Sequence, residues 1–276
     1  MAEVRVSVDK EALRKVYSEL KEEGYTLDEI SEYIGSEFRN HLYKGTSFSS
    51  ESFNLLERLL ERDIESQEVN YVDGAGEVDI VDLERNKALA ELVGIILGDG
   101  HIDRHSYDRG DRYISNHSVT VTLNSSEQRM ISHTMDILEK CLGQTPAVNK
   151  LGHAEAVNIR VYGLPVVEAF ERIGLVSGNK VNQQVSVPER VKEDTEYEKA
   201  CPRGLVDTDG SIYRRSEDGY VVVYFKNRSE PLLEDFASMS RDIGVESSSA
   251  GEHAVQVAAQ EDVRMFISKV GPIKSC

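Results

Sequence analysis

The sequence predicts an α+β protein in which a small all-α segment precedes two copies of a unit read as helix, strand, strand, helix, strand, strand, helix. The first observation is an internal repeat, because segments of residues 92–180 recur in the same order within 202–275. The second is a change near residue 85 from helical periods to mixed helix and strand periods. The third is charge, since residues 1–84 carry 21 acidic and 9 basic side chains and so hold most of the net charge of −17. The predicted parts are a helical domain, an acidic linker and two repeats, at 1–60, 61–84, 85–200 and 201–276.

The first segment is expected to form short helices separated by glycines. An apolar stripe ends at Gly24, and Thr26 with Glu29 forms a capping box for a second helix that ends at Gly35. Ser36 is expected to cap a third, short helix with exposed polar side chains, namely Arg39, Asn40, His41 and Lys44. The arrangement resembles repressor-type helix-turn-helix domains, which implies that Arg39 and Lys44 contact DNA. A plain helical bundle is the alternative.

The next 24 residues, 61–84, hold nine acidic side chains and a single basic one, Arg62, around the sequence DGAG. Such a stretch is typical of a linker or of a solvated acidic face. We therefore expect it to separate the helical domain from the repeats.

The two repeats align over three segments. "LVGIILGDGHI" matches "PRGLVDTDGSI" at a constant offset of 110, so that Asp99 falls on Asp209. "TLNSSEQRM" matches "YFKNRSEPL", which pairs Asn124 with Asn227, and the ends of the copies pair Lys180 with Lys274. Three matches in the same order predict two domains of similar fold within one chain.

Small residues lie one helical turn apart in both copies of the first segment: Gly94 and Gly98 in one, Gly204 and Thr208 in the other. This spacing lets two helices approach until their backbones nearly touch. The partner of each helix is expected to be its counterpart in the other copy. Asp99 and Asp209 then lie together at the two helix C-termini, each before a glycine suited to a left-handed cap.

A carboxylate is unfavourable at a helix C-terminus, which already carries partial negative charge. Two of them together require a cation. Hard oxygen ligands, with backbone carbonyls from Gly98 and Thr208 beside Asp99 and Asp209, favour Mg²⁺, or Mn²⁺, over softer metals.

Two other interpretations of "DTDGSI" fail on the residues. A calcium loop that starts at Asp207 would need glycine at its sixth position, where Ile212 lies. A phosphatase of the haloacid dehalogenase type would use Asp207 as nucleophile after a strand, but Pro202 and Arg203 interrupt that strand and the first copy has Leu97 at the matching position.

These motifs resemble those of the LAGLIDADG (DOD-type) homing endonucleases, whose family name is the consensus of the repeated helix. The resemblance covers about residues 85–276. It implies two αββαββα repeats whose sheets form a saddle over the DNA major groove, with Asp99 and Asp209 as metal ligands. By the same resemblance, Lys180 and Lys274 are the basic residues near the scissile phosphates, and Asn124 and Asn227 help to order water. The first motif has Leu97 at a position that is not a metal ligand, and Pro202 is expected in the first turn of its helix.

The implied function is site-specific hydrolysis of double-stranded DNA by a monomer with internal pseudo-twofold symmetry. Candidate DNA-binding side chains lie in the hairpins after each motif and on or beside later strands. They are Arg104, Arg109, Arg112, Arg160, Arg214, Arg215, Lys226 and Arg228.

Two alternatives on the same fold stay open: a DNA-binding regulator that does not cleave, and a maturase that binds intron RNA. A self-splicing intein is expected to have Cys or Ser first and His-Asn near its end, which Met1 and "PIKSC" do not supply. No apolar run is long enough to cross a membrane, the segment after Met1 lacks a signal-peptide core, and the three cysteines form no paired motif. We therefore expect a cytoplasmic, nucleoid-associated protein of a prokaryotic or archaeal host.

Overall fold

The computed structural model describes residues 5–62, 64, 69–73, 76–78, 81, 83–108, 113–152, 154–192, 197–215 and 219–275. The chain divides into two compact units, Met1–Asp82 and Leu83–Cys276. Within the described ranges, no helix is both long and apolar enough to cross a membrane.

The first unit combines helices with a four-stranded antiparallel sheet of order β2-β1-β3-β4. Its elements in chain order are β1 Arg5–Val8, α1 Lys10–Glu22, α2 Leu27–Ile34, a π-helical turn Asn40–Lys44, β2 Phe48–Ser49, α3 Ser50–Leu59, β3 Val69–Asp73 and β4 Gly76–Val78. The apolar stripe of α1 is buried through Leu13, Val16 and Leu20. The capping box between Thr26 and Glu29 is present at the start of α2.

The expectation of an all-α first domain is therefore wrong. Strand β1 lies between β2 and β3, and its alternating Val6 and Val8 point into the core. Strands β3 and β4 come from the segment that was expected to be an acidic linker. Backbone pairing places that segment in the sheet in spite of its charge.

Ser36 does not cap a helix. Its hydroxyl lies 3.0 Å from Nε2 of His41, and the following turn is π-helical with no side-chain cap. His41 is buried rather than exposed, and its ring stacks on Phe48 at 3.7 Å between centroids. Burial lowers the pKa of His41. The helix-turn-helix assignment stays a prediction.

The second unit contains the two predicted copies. The first copy consists of α4 Lys87–Asp99, β5 Gly100–Asp108, β6 Tyr113–Asn124, α5 Gln128–Leu142, β7 Ala147–Lys150, β8 Ala156–Tyr162 and α6 Leu164–Arg172. Two short helices follow, α7 Lys180–Gln183 and α8 Glu189–Lys192. The second copy consists of α9 Tyr197–Asp209, β9 Gly210–Arg214, β10 Val221–Lys226, α10 Glu230–Asp242, β11 Ser248–Ser249, β12 Ala254–Val257 and α11 Gln260–Val270.

The sheets of the two copies have the same topology. Their strand orders are β5-β6-β8-β7 and β9-β10-β12-β11, and all neighbours are antiparallel. In β8 the apolar Val157, Ile159 and Val161 are buried, whereas Arg160 and Tyr162 lie on the other face. Each sheet therefore has one core face, which contacts the helices of its own copy, and one polar face.

Helices α4 and α9 pack against each other through glycine. A Cβ atom on Gly94 would lie 2.3 Å from the carbonyl oxygen of Cys201, and one on Gly204 would lie 2.3 Å from that of Glu91. These two contacts are related by the offset of 110, so the helix pair has twofold pseudosymmetry. Only glycine permits this approach, because any side chain would meet the backbone of the partner helix.

Two details of this pair differ from expectation. Gly100 does not adopt the left-handed conformation, since its φ is −87°. Gly100 and Gly210 begin strands directly at the helix ends, and a Cβ atom would lie 2.4 Å from Ile96 Cα in the first copy and 2.6 Å from Val206 Cα in the second. Pro202 is not in the first turn, because α9 already begins at Tyr197.

Candidate active site

Asp99 and Asp209 end the paired helices α4 and α9, and they lie close enough for the charge of Asp209 to shift the pKa of Asp99. The contact of Gly98 with Thr208, the residues just before them, brings the two helix ends together. Burial and the charge of Asp209 raise the pKa of Asp99 to about 6. Burial also raises the pKa of Asp209. The structure therefore brings together the two carboxylates that the sequence analysis paired.

The two predicted lysines flank this pair. Lys180 Nζ donates to the carbonyl oxygens of Ile96, Leu97 and Gly98 at the end of α4. Lys274 Nζ donates to Thr208 O at 2.8 Å and Gly210 O at 2.9 Å, on either side of Asp209. Cations at these positions offset the negative ends of both helix dipoles.

The charges of this cluster are coupled. The charges of Lys274 and Lys180 act against the rise in the pKa of Asp99. Burial lowers the pKa of Lys180 to about 8, while Asp209 and Asp99 act to raise it. The ammonium group of Lys180 is therefore held less firmly in its charged form than that of an exposed lysine.

The two predicted asparagines are not equivalent. Asn227 Nδ2 donates to Asp209 Oδ2 at 2.7 Å, and its Oδ1 accepts from Ser229 N. Asn124 Oδ1 accepts from the backbone and hydroxyl of Ser126, and the side chain is exposed. Among the described contacts, Asn124 makes no hydrogen bond to Asp99. Each asparagine fixes the equivalent turn of its own copy, but only Asn227 also orients an aspartate.

The donor atoms of the site fit a hard divalent cation. Two partly buried carboxylates, one with a pKa raised by its partner, form a centre that a cation would neutralise. The carbonyl oxygens of Gly98 and Thr208 were predicted as further ligands. Each accepts a hydrogen bond from a lysine ammonium group here. A carbonyl oxygen has two lone pairs, so this contact leaves one available. No three His, Cys, Asp or Glu side chains cluster as a metal cage within the described residues.

The sequence analysis missed a role for Asp207. Its side chain is almost fully buried at 1% exposure, and its carboxylate accepts from the backbone N–H groups of Ile273 and Lys274. Burial raises its pKa, and these backbone donors act in the opposite direction. One signal was available in the sequence, because the repeat aligns the acidic Asp207 with the apolar Leu97 of the first copy.

Arg104 is paired with two glutamates of its own copy. It lies on the same face of β5 as the buried Ile102, because side chains alternate along a strand. Its guanidinium donates to Glu171 and to Glu168 of α6, the second contact at 2.5 Å. Arg104 therefore joins the sheet to the helix that covers its core face, which argues against its prediction as a DNA-binding residue.

Two of the remaining candidates, Arg160 and Lys226, lie on the polar faces of the two sheets. Arg160 donates through Nε to Thr120 Oγ1 at 2.8 Å and lies 5.6 Å from the centre of the Tyr162 ring. On the second sheet, the ring centroids of Tyr213 and Tyr224 lie 6.5 Å apart, and Lys226 is exposed at the end of β10.

Three other candidates lie in or beside the turns that follow β9 and β10. Arg214 donates to Gly219 O across the hairpin, Arg215 lies over the Tyr220 ring, and Arg228 is exposed. In the first unit, Arg39 pairs with Asp28 at 3.1 Å and Lys44 is exposed. Arg109 and Arg112 lie outside the described residues.

Comparison with known proteins finds a family match for the second copy. Residues 196–271 match the family described as the LAGLIDADG-like domain. The chain is 22% identical over 278 residues to a tRNA-splicing ligase RtcB of Methanopyrus kandleri, a match that covers 91% of this chain. It spans only 27% of that relative's length.

Solved structures of homing endonucleases are also similar. I-DmoI in complex with DNA and Mn has 16% identity and a TM-score of 0.47, covering 67% of this chain and 96% of that protein. The meganuclease I-SmaMI bound to uncleaveable DNA has 14% identity and a TM-score of 0.47, covering 69% of this chain and 87% of that protein.

Proposed function

We propose that this chain, which carries a LAGLIDADG-like domain at residues 196–271, is a site-specific endonuclease that hydrolyses both strands of duplex DNA. The observation that carries the proposal is the pair Asp99 and Asp209, held together at the ends of two glycine-packed helices with a lysine beside each. A structural role does not explain two like charges kept partly buried at negative helix ends, because each raises the free energy of the fold.

Asp99 and Asp209 are the residues that would hold a divalent cation, Mg²⁺ or Mn²⁺. When bound, such a cation supplies Lewis acidity for an attacking water and neutralises charge on the leaving oxygen. Asn227 orients the Asp209 carboxylate through the 2.7 Å hydrogen bond from its Nδ2. Lys180 and Lys274 supply positive charge where negative charge builds on the phosphate.

The pseudo-twofold of α4 and α9 supports a duplex as the substrate. A twofold axis also relates the two strands of a duplex, so one chain with two half-sites can address both strands. The polar sheet faces present Arg160 with Tyr162 in one copy and Tyr213, Tyr224 and Lys226 in the other. These groups can donate hydrogen bonds to base edges and phosphates.

The test is selection of cleaved sites from a randomised duplex library with Mg²⁺ or Mn²⁺. We expect the intact chain to cut both strands at one preferred sequence. The substitutions Asp99→Asn and Asp209→Asn should abolish cutting, because they remove the proposed cation ligands. Both variant proteins should still bind that sequence. Asp136→Asn, on the exposed surface of α5, is the matched control and should cut normally.

Three results would contradict the proposal. Full cutting by either motif variant would exclude these aspartates as ligands. Binding without cutting by the unaltered chain, with either cation, would favour the non-cleaving regulator, and preferential binding of structured RNA would favour the maturase.

A further inference from the structure

We propose that Asp207 is the positioning residue for Lys274, so that it governs cleavage of one DNA strand and not the other. This inference rests on the proposed function and deepens it. It assigns a task to a buried carboxylate that lies two residues before Asp209 and is not itself a proposed cation ligand.

The contacts of Asp207 hold the backbone of the segment that carries Lys274. Ile273 N lies 2.9 Å from both carboxylate oxygens, and Lys274 N lies 2.9 Å from Oδ1. Residues 271–275 have no helix or strand of their own, so these hydrogen bonds tie the segment to α9. Bonds of this kind, from backbone N–H to an ionised carboxylate, are short and directional.

The first copy reaches the same result by different means. Leu97, the counterpart of Asp207, lines a cavity of about 180 Å³ with Leu175 and Val176, in the segment that leads to Lys180. Lys180 itself is the first residue of helix α7, whose start is capped by Asn179. The same motif position therefore borders the lysine-bearing segment in both copies, as an apolar side chain that lines a shared cavity in one and as a hydrogen-bonded carboxylate in the other.

A charged chain of contacts keeps Asp207 in place. Arg203 Nε lies 3.8 Å from Asp207 Oδ2 and 3.1 Å from Glu91 Oε1, and Glu91 Oε1 lies 2.5 Å from His133 Nε2. Glu91 is on α4 and His133 is on α5, so this series of charged contacts extends from the second copy into the first. The carboxylate is thus balanced by a guanidinium as well as by backbone donors.

Displacement of this segment would move the Lys274 ammonium group. Its Nζ now bonds to Thr208 O and Gly210 O, the carbonyls on either side of Asp209. A shift of about 1 Å in a reacting or charge-stabilising group can cost about 10²-fold in rate. Because Lys180 is held independently, the loss should fall on one half-site.

The experiment measures cleavage of each strand separately, on the selected duplex with a different fluorophore on each strand. Asp207→Leu, which copies the residue of the first repeat, should slow one strand by about 10²-fold. Asp207→Asn, which keeps one acceptor oxygen, should slow the same strand less. Lys274→Met should identify that strand, and Lys180→Met should slow the other one.

The rate on the unaffected strand reports folding within the same molecule. The matched control is Asp235→Asn, a carboxylate of α10 that also accepts from a backbone N–H, that of Val187 at 2.6 Å. The ratio of its cleavage rates on the two DNA strands should equal that of the unaltered chain.

Equal slowing of both strands by the Asp207 variants, no slowing, or slowing of the strand that depends on Lys180 would each overturn the inference while the proposed function stands. Failure of the unaltered chain to cut either strand would instead overturn the proposed function, and this inference with it.

Discussion

Substitution of Asp99 by asparagine is expected to stabilise the protein when divalent cations are absent. Asp99 has a pKa of about 6 in the fold against 3.8 as the ordinary value. Each pKa unit corresponds to about 1.4 kcal/mol, so ionisation of Asp99 in the fold costs roughly 2–3 kcal/mol of stability. Asparagine has nearly the same shape and removes this cost.

The sign of the effect depends on pH. Because the folded pKa is raised, the stability contribution of Asp99 is fully present below about pH 4 and is lost as the pH rises through 6. Asp99→Asn should therefore be about 2–3 kcal/mol more stable than the unaltered chain at pH 8 and equal to it near pH 4.

The assay is urea denaturation with EDTA, followed through hydrogen exchange of the α4 amides so that the second unit is observed. Addition of Mg²⁺ at pH 8 should stabilise the unaltered chain and stabilise the variant much less, since binding to the folded state alone raises its stability. A variant that is less stable than the unaltered chain in EDTA at pH 8 would refute the reasoning. So would an equal gain from Mg²⁺.

Three further substitutions test the fold and the DNA surface. Gly94→Ala should lower the free energy of unfolding by about 3 kcal/mol, because its Cβ would lie 2.3 Å from a backbone oxygen of α9. The control Gly152→Ala has open space around it and should be neutral in the same denaturation assay. Arg104→Met should lower stability by about 3 kcal/mol through loss of its contacts with α6 and leave DNA affinity unchanged. Arg160→Ala should do the reverse, weakening DNA binding in a gel-shift titration; equal affinity losses for both variants would contradict the face assignment.

Features that depend on local residue pattern could be predicted from the sequence. The capping box of Thr26 and Glu29 needs only residues three apart. The close packing of Gly94 and Gly204 follows from small-residue spacing together with the repeat. The pairing of Asp99 with Asp209 follows in turn from that helix contact.

Features that depend on long-range pairing could not be predicted in the same way. The sheet of the first unit joins β1 to strands more than forty residues away, although the alternation of Val6 and Val8 was a usable signal. The contact of Arg104 with α6 follows from its position on the same strand face as Ile102, but only once the strand and its covering helix are known. The contact of Asp207 with Lys274 joins residues 67 apart and leaves no trace in local pattern.

The central claim is that Asp99 and Asp209 hold a divalent cation between the ends of α4 and α9. Anomalous diffraction from crystals of the chain with its selected duplex and Mn²⁺ tests this most directly. We expect a manganese peak within about 2.0–2.3 Å of an oxygen of each carboxylate, and its loss in Asp209→Asn. Manganese bound elsewhere, with no peak between these two side chains, would contradict the account.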